Sequence, residues 1–132
     1  MNKVVIISGS TSDKEFVEKI QTKLDELNIQ HEWEACSAHK ETERLLGLIK
    51  AWEASEDNIV YITVAGRSNA LSGVVACNTK QPVFAVPPFS DKDDFMVNIN
   101  STLQMPSNTP VMTVLDPGNA AQAVQRIFDL IG

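Results

Sequence analysis

Apolar residues recur along the chain with two different periods, and the two kinds of segment alternate. Five short runs rich in β-branched residues are typical of strands, and amphipathic stretches at helical spacing separate them. The first run is apolar at successive positions, which predicts a strand buried on both faces of a sheet. The predicted strands cover residues 3–8, 30–36, 58–64, 82–86 and 111–115.

Five helices are predicted between and after these strands. They cover residues 13–27, the stretch after SAHKE, and residues 70–79, 91–103 and 119–131. The core-facing positions of the first, second and fourth helices are predicted to be Phe16, Val17, Ile20, Leu24, Leu27, Leu45, Leu46, Ile49, Trp52, Phe95, Ile99 and Leu103. Ser12, with Glu15 three residues later, predicts a capping box for the first helix. Strands that alternate with helices indicate a parallel sheet covered on both faces and joined by right-handed crossovers.

Polar segments follow the first three predicted strands directly. They are GSTSD (9–13), SAHK (37–40) and AGRSN (65–69). The carboxyl ends of parallel strands meet at one edge of the sheet, where doubly wound folds bind their ligands. We therefore expect the three loops to form one site. Gly66 and Gly73 bracket the third polar cluster, which favours a sharp turn or the close approach of a ligand.

The first loop offers backbone amides, hydroxyls and a carboxylate at the start of a helix. A helix start favours a phosphate, and a carboxylate can accept hydrogen bonds from ribose hydroxyls. A capped helix with nothing bound is the alternative, because capping serines are common. The segment is neither the glycine-rich dinucleotide fingerprint nor a P-loop, since their spacing and the lysine are absent.

The second and third loops offer groups for proton transfer and for anion binding. His39 can transfer a proton near neutral pH, and Lys40 beside it can balance a phosphate or a carboxylate. The alternative for His39 is an exposed loop histidine without chemistry, and we assign no chemistry to His31 in the second strand. The third loop supplies a cation, a hydroxyl and an amide, although a surface salt bridge is the alternative for Arg67.

Composition and charge narrow the class of protein. The chain has 132 residues and a formal net charge of −6, which argues against a nucleic-acid surface because such surfaces carry a basic stripe. No apolar run approaches the roughly 20 residues of a membrane helix, and the N-terminal stretch lacks a signal-peptide pattern, so we expect a cytoplasmic protein. Cys36 and Cys77 lack metal-type spacing and are expected to be free, buried thiols.

Six motifs occur in a fixed order that covers nearly the whole chain: GSTSD, SAHK, AGRSNALSG, PVFAVPP, LQMPSNTPV and GNAAQAVQRIF. This series resembles the 5-aminoimidazole ribonucleotide (AIR) carboxylase family of purine biosynthesis, often called PurE. The resemblance implies a three-layer α/β/α fold, a doubly wound parallel sheet of flavodoxin-like or Rossmann-like type. It also implies reversible carboxylation of AIR at ring carbon 4 by carbon dioxide, without biotin, ATP or a metal.

The family has two branches that differ at the third loop. One branch carries Ala-Ala-His-Leu-Pro-Gly there and rearranges N5-carboxyaminoimidazole ribonucleotide. The other carries Gly-Arg-Ser-Asn-Gly/Ala-Leu and uses carbon dioxide directly. This chain has Ala70 where the mutase branch has its histidine, and it reads SAHK rather than SAHR. The resemblance is therefore to the carbon dioxide branch.

The resemblance also implies roles for individual residues. His39 is expected to transfer the ring proton, while Lys40 and Ser68 are expected to orient carbon dioxide and stabilise the developing carboxylate. The residues implied to bind the substrate are Ser10, Ser12, Asp13, Ser37, Lys40, Ala65, Gly66, Ser68 and Asn69. No cofactor and no metal ligand is implied.

The partners implied by the resemblance are AIR, its carboxylated product and carbon dioxide, with neither nucleic acid nor membrane. The family forms homo-oligomers, either tetramers or octamers, whose active sites are shared between subunits. Residues 1–132 are expected to form one domain that lacks the family's usual C-terminal extension, and hence to assemble in a smaller or differently held form.

Three alternatives stay open on the sequence. The chain is alternatively an N5-carboxyaminoimidazole ribonucleotide mutase of the same family. A second alternative is a nucleotide-binding relative without catalysis. A third is a flavodoxin-like domain that binds a flavin phosphate through GSTSD.

Overall fold

The computed structural model describes residues 1–132 and contains five strands and five α-helices. The strands are β1 (Asn2–Ser8), β2 (His31–Ala35), β3 (Asn58–Val64), β4 (Val83–Ala85) and β5 (Met112–Thr113). The helices are α1 (Lys14–Glu26), α2 (Thr42–Glu53), α3 (Leu71–Cys77), α4 (Lys92–Thr102) and α5 (Pro117–Ile131), and a 3-10 turn at Thr11–Asp13 precedes α1. Every predicted strand and helix is confirmed. The largest differences in length are in α3 and β5, which are each shorter than the sequence predicts.

The five strands form one parallel sheet in the order β2-β1-β3-β4-β5. β1 pairs with β3 over seven residues, from Asn2 opposite Asn58 to Ser8 opposite Val64. This order is that of flavodoxin-like folds, which bind ligands at the carboxyl edge of the sheet. The doubly wound fold predicted from the alternation of strands and helices is therefore confirmed.

Two apolar cores lie on opposite faces of the sheet. Val4 and Ile6 of β1 point into the core formed with α1 and α5, whereas Val5 and Ile7 point into the core formed with α2 and α3. All four side chains are fully buried. Complete burial of such a side chain stabilises the fold by about 1.5–3 kcal/mol, so β1 is a main contributor to the stability of the sheet.

Two of the predicted core positions are wrong. Leu46 is 41% exposed and Leu103 is 61% exposed. The buried positions of α4 are Asn98 and Thr102 instead. The reason is that this face of α4 contacts the polar loop after β3, where hydrogen bonds rather than apolar contacts are available.

The predicted capping box is also wrong. Ser10, not Ser12, has the capping role: its hydroxyl accepts a hydrogen bond from the Ser12 amide at the start of the 3-10 turn. Asp13 directly precedes α1 and makes no side-chain capping bond. Both cysteines are free, and Cys36 is buried as predicted, but Cys77 is exposed at the end of α3.

None of the helices combines the length and the apolar character needed to cross a bilayer.

Candidate functional site

The loops after β1, β2 and β3 meet at the carboxyl edge of the sheet and enclose a cavity of about 250 Å³. All the predicted site residues except Lys40 and Asn69 line this cavity. The lining consists of Gly9, Ser10, Ser12, Asp13, Ser37, Ala38, His39, Ala65, Gly66, Arg67, Ser68, Ala70 and Leu71. The expected convergence of the three strand ends is therefore confirmed, and Ala38 and Leu71 add apolar surface that the sequence did not single out.

The first loop is held by a short series of hydroxyl groups. Ser8, fully buried at the end of β1, donates a hydrogen bond to the Ser10 carbonyl over 2.9 Å. The hydroxyls of Ser10 and Ser12 lie 2.9 Å apart, and the Ser12 amide donates to the Ser10 hydroxyl over 3.1 Å. This arrangement presents the serine hydroxyls and the following Asp13 to the cavity as one polar surface.

The Asp13 carboxylate, directly before α1, is partly buried. Burial raises the pKa of its carboxyl group, and the backbone amide of Ser10 opposes part of that rise. A partly desolvated carboxylate gains more from a hydrogen-bond donor than an exposed one does. Asp13 is therefore suited to accept hydrogen bonds from ligand hydroxyls.

The second loop is a tight turn that leaves its histidine free. The Glu41 amide donates to the Ser37 carbonyl over 2.9 Å, and the Lys40 amide donates to the Ser37 hydroxyl over 3.1 Å. The Thr42 hydroxyl donates to the Ala38 carbonyl over 2.6 Å. With the turn fixed in this way, His39 is exposed at the cavity that it lines, and neither of its ring nitrogens is hydrogen-bonded within the protein.

Lys40 is exposed and, unlike its neighbour His39, does not line the cavity. Its backbone amide helps to close the turn. A flexible lysine side chain can still reach toward an anion bound at the rim.

The third loop contains the only cavity residue with a left-handed backbone. Ser68 has φ 54°, a conformation that costs a residue other than glycine roughly 1–2 kcal/mol. The backbone amides of Gly66, Arg67 and Ser68 donate no hydrogen bond within the protein. Strained residues persist where the surroundings fix them, and unpaired amides beside a cavity are ready donors for an anion.

Asn69 lies on the other side of this loop and is 8% exposed. Its side-chain amide is hydrogen-bonded to Ser72 of α3 and to Thr102 of α4. Asn69 is among the residues predicted to bind the substrate, whereas the structure gives its side chain partners inside the protein.

A second, wider cleft of about 470 Å³ adjoins the cavity and shares Ser12, Asp13, Gly66 and Arg67 with it. Its outer wall comes from the segment after β4 and from α4, and consists of Pro88, Phe89, Ser90, Asp94 and Asn98. The site predicted from the sequence includes three strand ends and lacks this fourth one. The same rule about parallel strands applied to it, because PPFSD directly follows the fourth predicted strand.

Arg67 stands between the two cavities. Its guanidinium lies 3.5 Å from the Asp94 carboxylate, and 69% of its side chain is exposed. The alternative of a surface salt bridge is thus realised, and such a pair contributes little to stability. Because most of the Arg67 side chain is open to solvent, its guanidinium stays available to an anion that enters either cavity.

The site combines three chemical capabilities. A carboxylate and serine hydroxyls can hold a polyhydroxylated ligand, free amides and a guanidinium can hold an anion, and an unpaired imidazole can move a proton. The chain contains no group of three or more His, Cys, Asp or Glu side chains arranged to hold a metal ion.

Comparison with known proteins relates the whole chain to one family. The family model described as AIR carboxylase matches residues 3–131. A phosphoribosylaminoimidazole carboxylase of Archaeoglobus fulgidus is 48% identical over 128 residues, which cover 97% of this chain and 69% of the relative. The protein of the same name from Treponema denticola is 42% identical, over 96% of this chain and 79% of the relative. The crystal structure of Treponema denticola PurE superposes with a TM-score of 0.94 at 41% identity, covering 100% of this chain and 83% of that one.

Proposed function

Since the chain belongs to the AIR carboxylase family, we propose that it is a phosphoribosylaminoimidazole carboxylase that uses carbon dioxide directly. The observation that carries this proposal is the meeting of Asp13, His39 and Ser68, from three separate loops, around one cavity. Ala70 also lines that cavity, at the position where the mutase branch is expected to carry a histidine. The reaction is AIR plus carbon dioxide to 4-carboxy-AIR plus a proton.

The substrate itself supplies the nucleophile. The aminoimidazole ring behaves as an enamine, so its carbon 4 attacks the carbon of carbon dioxide and forms the new carbon–carbon bond. One carbon–oxygen π bond breaks, and its electron pair becomes the carboxylate charge. Carbon 4 then carries both a hydrogen and a carboxylate. Loss of that proton restores the aromatic ring, and the reverse sequence is decarboxylation.

The protein has to hold the nucleotide, trap carbon dioxide and move one proton. In our proposal Asp13 and the serines at 10 and 12 bind the ribose phosphate, and Ser37 lies nearby. His39 removes the proton from carbon 4, because it lines the cavity and both of its ring nitrogens are free. The free amides of the third loop and Ser68 stabilise the charge that develops on the carboxylate, and Lys40 approaches it from the rim.

We also propose that the chain works as a homo-oligomer in the cytoplasm. Large apolar side chains are exposed around α4, namely Phe89, Met96, Val97 and Leu103. Apolar side chains grouped on one element favour contact with another protein surface. Two free cysteines without a disulfide suit a reducing compartment.

A comparison of two substrates tests the proposed activity. Purified protein is given AIR with increasing bicarbonate and carbonic anhydrase, and formation of 4-carboxy-AIR is followed. In parallel it is given N5-carboxyaminoimidazole ribonucleotide without added bicarbonate. We expect product from AIR at a rate that rises and saturates with carbon dioxide. Turnover of the N5-carboxylated compound alone would show a mutase, and binding of AIR without turnover in either assay would show a non-catalytic relative.

A further inference from the structure

The polar face of α4 lies along the third loop and contacts three of the residues 66–69. Asp94 pairs with Arg67 at 3.5 Å, and the Asn98 amide packs against Gly66, where an added Cβ would lie 3.5 Å from it. One turn later, Ser101 and Thr102 both bond to Asn69. The positions 94, 98, 101 and 102 share one helix face by their spacing. Ser68, in the same loop, makes no hydrogen bond to α4 and lines the cavity.

The side chain of Asn69 has no hydrogen-bond donor left for a ligand, and its oxygen is engaged within the protein. Its side-chain nitrogen donates to the Ser72 hydroxyl over 2.8 Å and to the Thr102 hydroxyl over 3.0 Å. Its side-chain oxygen accepts from the Ser72 amide over 3.1 Å, and its backbone amide donates to the Ser101 hydroxyl over 2.6 Å. A side-chain amide has two donors and one carbonyl oxygen, so all of them are engaged.

The network that holds Asn69 is anchored in the sheet. The Ser72 hydroxyl lies 2.6 Å from that of Thr63 in β3. Thr63, Ser72 and Thr102 are each at most 1% exposed, so none of these bonds competes with water. Buried polar networks that are fully satisfied fix a single conformation. Here the residue fixed is the direct neighbour of Ser68, whose left-handed backbone needs support from its surroundings.

We propose that Asn69 is a positioning residue rather than a substrate ligand, and that Ser101 and Thr102 of α4 act through it to hold Ser68 in the conformation that carboxylation requires. This inference rests on the proposed function. It gives α4 a role in the chemical step although the helix supplies no group to the cavity that holds His39.

Substitutions on α4 test the inference without touching the catalytic loop. Thr102→Val keeps the size of the side chain and removes the acceptor for Asn69, and Thr102→Ser is the matched control that keeps the hydroxyl. Ser101→Ala, at a half-buried position, removes the second acceptor with less risk to folding. We expect kcat to fall about tenfold or more in Thr102→Val and Ser101→Ala, since small misplacements of reacting groups are costly. The rate of decarboxylation of 4-carboxy-AIR is expected to fall by the same factor.

The binding constant separates positioning from direct contact. AIR binding, measured by calorimetry, is expected to stay within about twofold of wild type, because the residues proposed to bind the ribose phosphate lie on the first loop. Thr102→Ser is expected to retain wild-type kcat. Wild-type kcat in both Thr102→Val and Ser101→Ala would overturn the inference, as would weaker AIR binding with unchanged kcat. A wild-type protein without carboxylation would instead overturn the proposed function from which the inference starts.

Discussion

The indole nitrogen of Trp33 donates a hydrogen bond to the hydroxyl of Ser8 over 2.9 Å. Ser8 in turn donates to the Ser10 carbonyl, so a side chain of β2 fixes the start of the loop after β1. A strand that forms no part of the cavity wall thereby sets the position of the serines that do. Trp33 thus packs against the apolar core and also donates a hydrogen bond. Its apolar position in the sequence indicates only the packing.

Replacing Trp33 by Phe is expected to destabilise the protein and weaken nucleotide binding together. The buried Ser8 hydroxyl loses its donor, and we expect a loss of about 1–2 kcal/mol in the free energy of unfolding. Trp52→Phe is the matched control, because its indole nitrogen donates to Glu32, outside the three loops. Denaturant unfolding and AIR titration of both variants check this, and equal AIR affinity in the two would contradict it.

Asp13→Ala is expected to weaken nucleotide binding strongly while the fold stays intact. Loss of charge-assisted hydrogen bonds to the ribose is expected to cost about 1.5–3 kcal/mol in binding free energy. Asp13→Asn, which keeps the size but not the charge, is expected to lose much of this as well. An unchanged dissociation constant for AIR, measured by calorimetry, would place the ribose elsewhere.

The raised pKa of Asp13 also predicts a dependence of stability on pH. The folded state binds the proton of this carboxyl more tightly than the unfolded state, whose pKa is near 3.8. The ionised group therefore costs stability above its folded pKa, and that cost disappears as pH falls below the unfolded value. We expect Asp13→Asn to be more stable than wild type at pH 7 and equal to it near pH 3. Denaturant unfolding at both pH values measures the difference, and the opposite order at pH 7 would contradict it.

The two histidines of the chain provide a test with an internal control. His39→Asn is expected to lower kcat by about 10²–10⁴-fold, the usual contribution of general acid–base catalysis, with little change in AIR affinity. His31→Asn is expected to keep wild-type kcat, because its ring lies 2.7 Å from the Asp25 carboxylate, outside the cavity. Steady-state kinetics on both variants shows whether the imidazole of His39, and not that of His31, takes part in catalysis.

Ser68 allows the hydroxyl and the backbone conformation to be tested separately. Ser68→Ala and Ser68→Gly both remove the hydroxyl and are both expected to lose activity. Glycine adopts φ 54° without strain, so Ser68→Gly is expected to be more stable than Ser68→Ala by about 1 kcal/mol. Thermal and denaturant unfolding measure the difference. Wild-type activity in Ser68→Gly would show that the hydroxyl is not used.

Periodicity predicted the elements best where the side chains meet an apolar core. The third strand has the bounds 58–64 in both the prediction and the structure, because every residue after Asn58 is buried. Leu103 and Leu46 were misplaced because periodicity finds an apolar face but does not say what that face contacts. In α4 the buried face is polar, and Ser101 and Thr102 find their partner, Asn69, more than 30 residues away along the chain.

The cavity was predictable because it depends on topology, whereas the orientation of single side chains was not. Asp13, His39 and Ser68 had to meet once three parallel strands ended side by side. Asn69 follows Ser68 directly, yet its side chain turns away toward α4, since Ser68 is left-handed. The bonds to Ser72 are local, but nothing in AGRSN indicates the acceptors that Ser101 and Thr102 of α4 provide.

The pairing of β1 with β3 makes the cavity a late product of folding. Asn2 lies opposite Asn58, so the central pair of strands joins residues 56 positions apart and raises the contact order of the chain. A nascent chain that has not yet completed β3 can pair β1 only with β2 and lacks the third loop, so the cavity is incomplete. Ligand added during refolding should therefore slow unfolding of the finished protein but leave the rate of the first folding step unchanged.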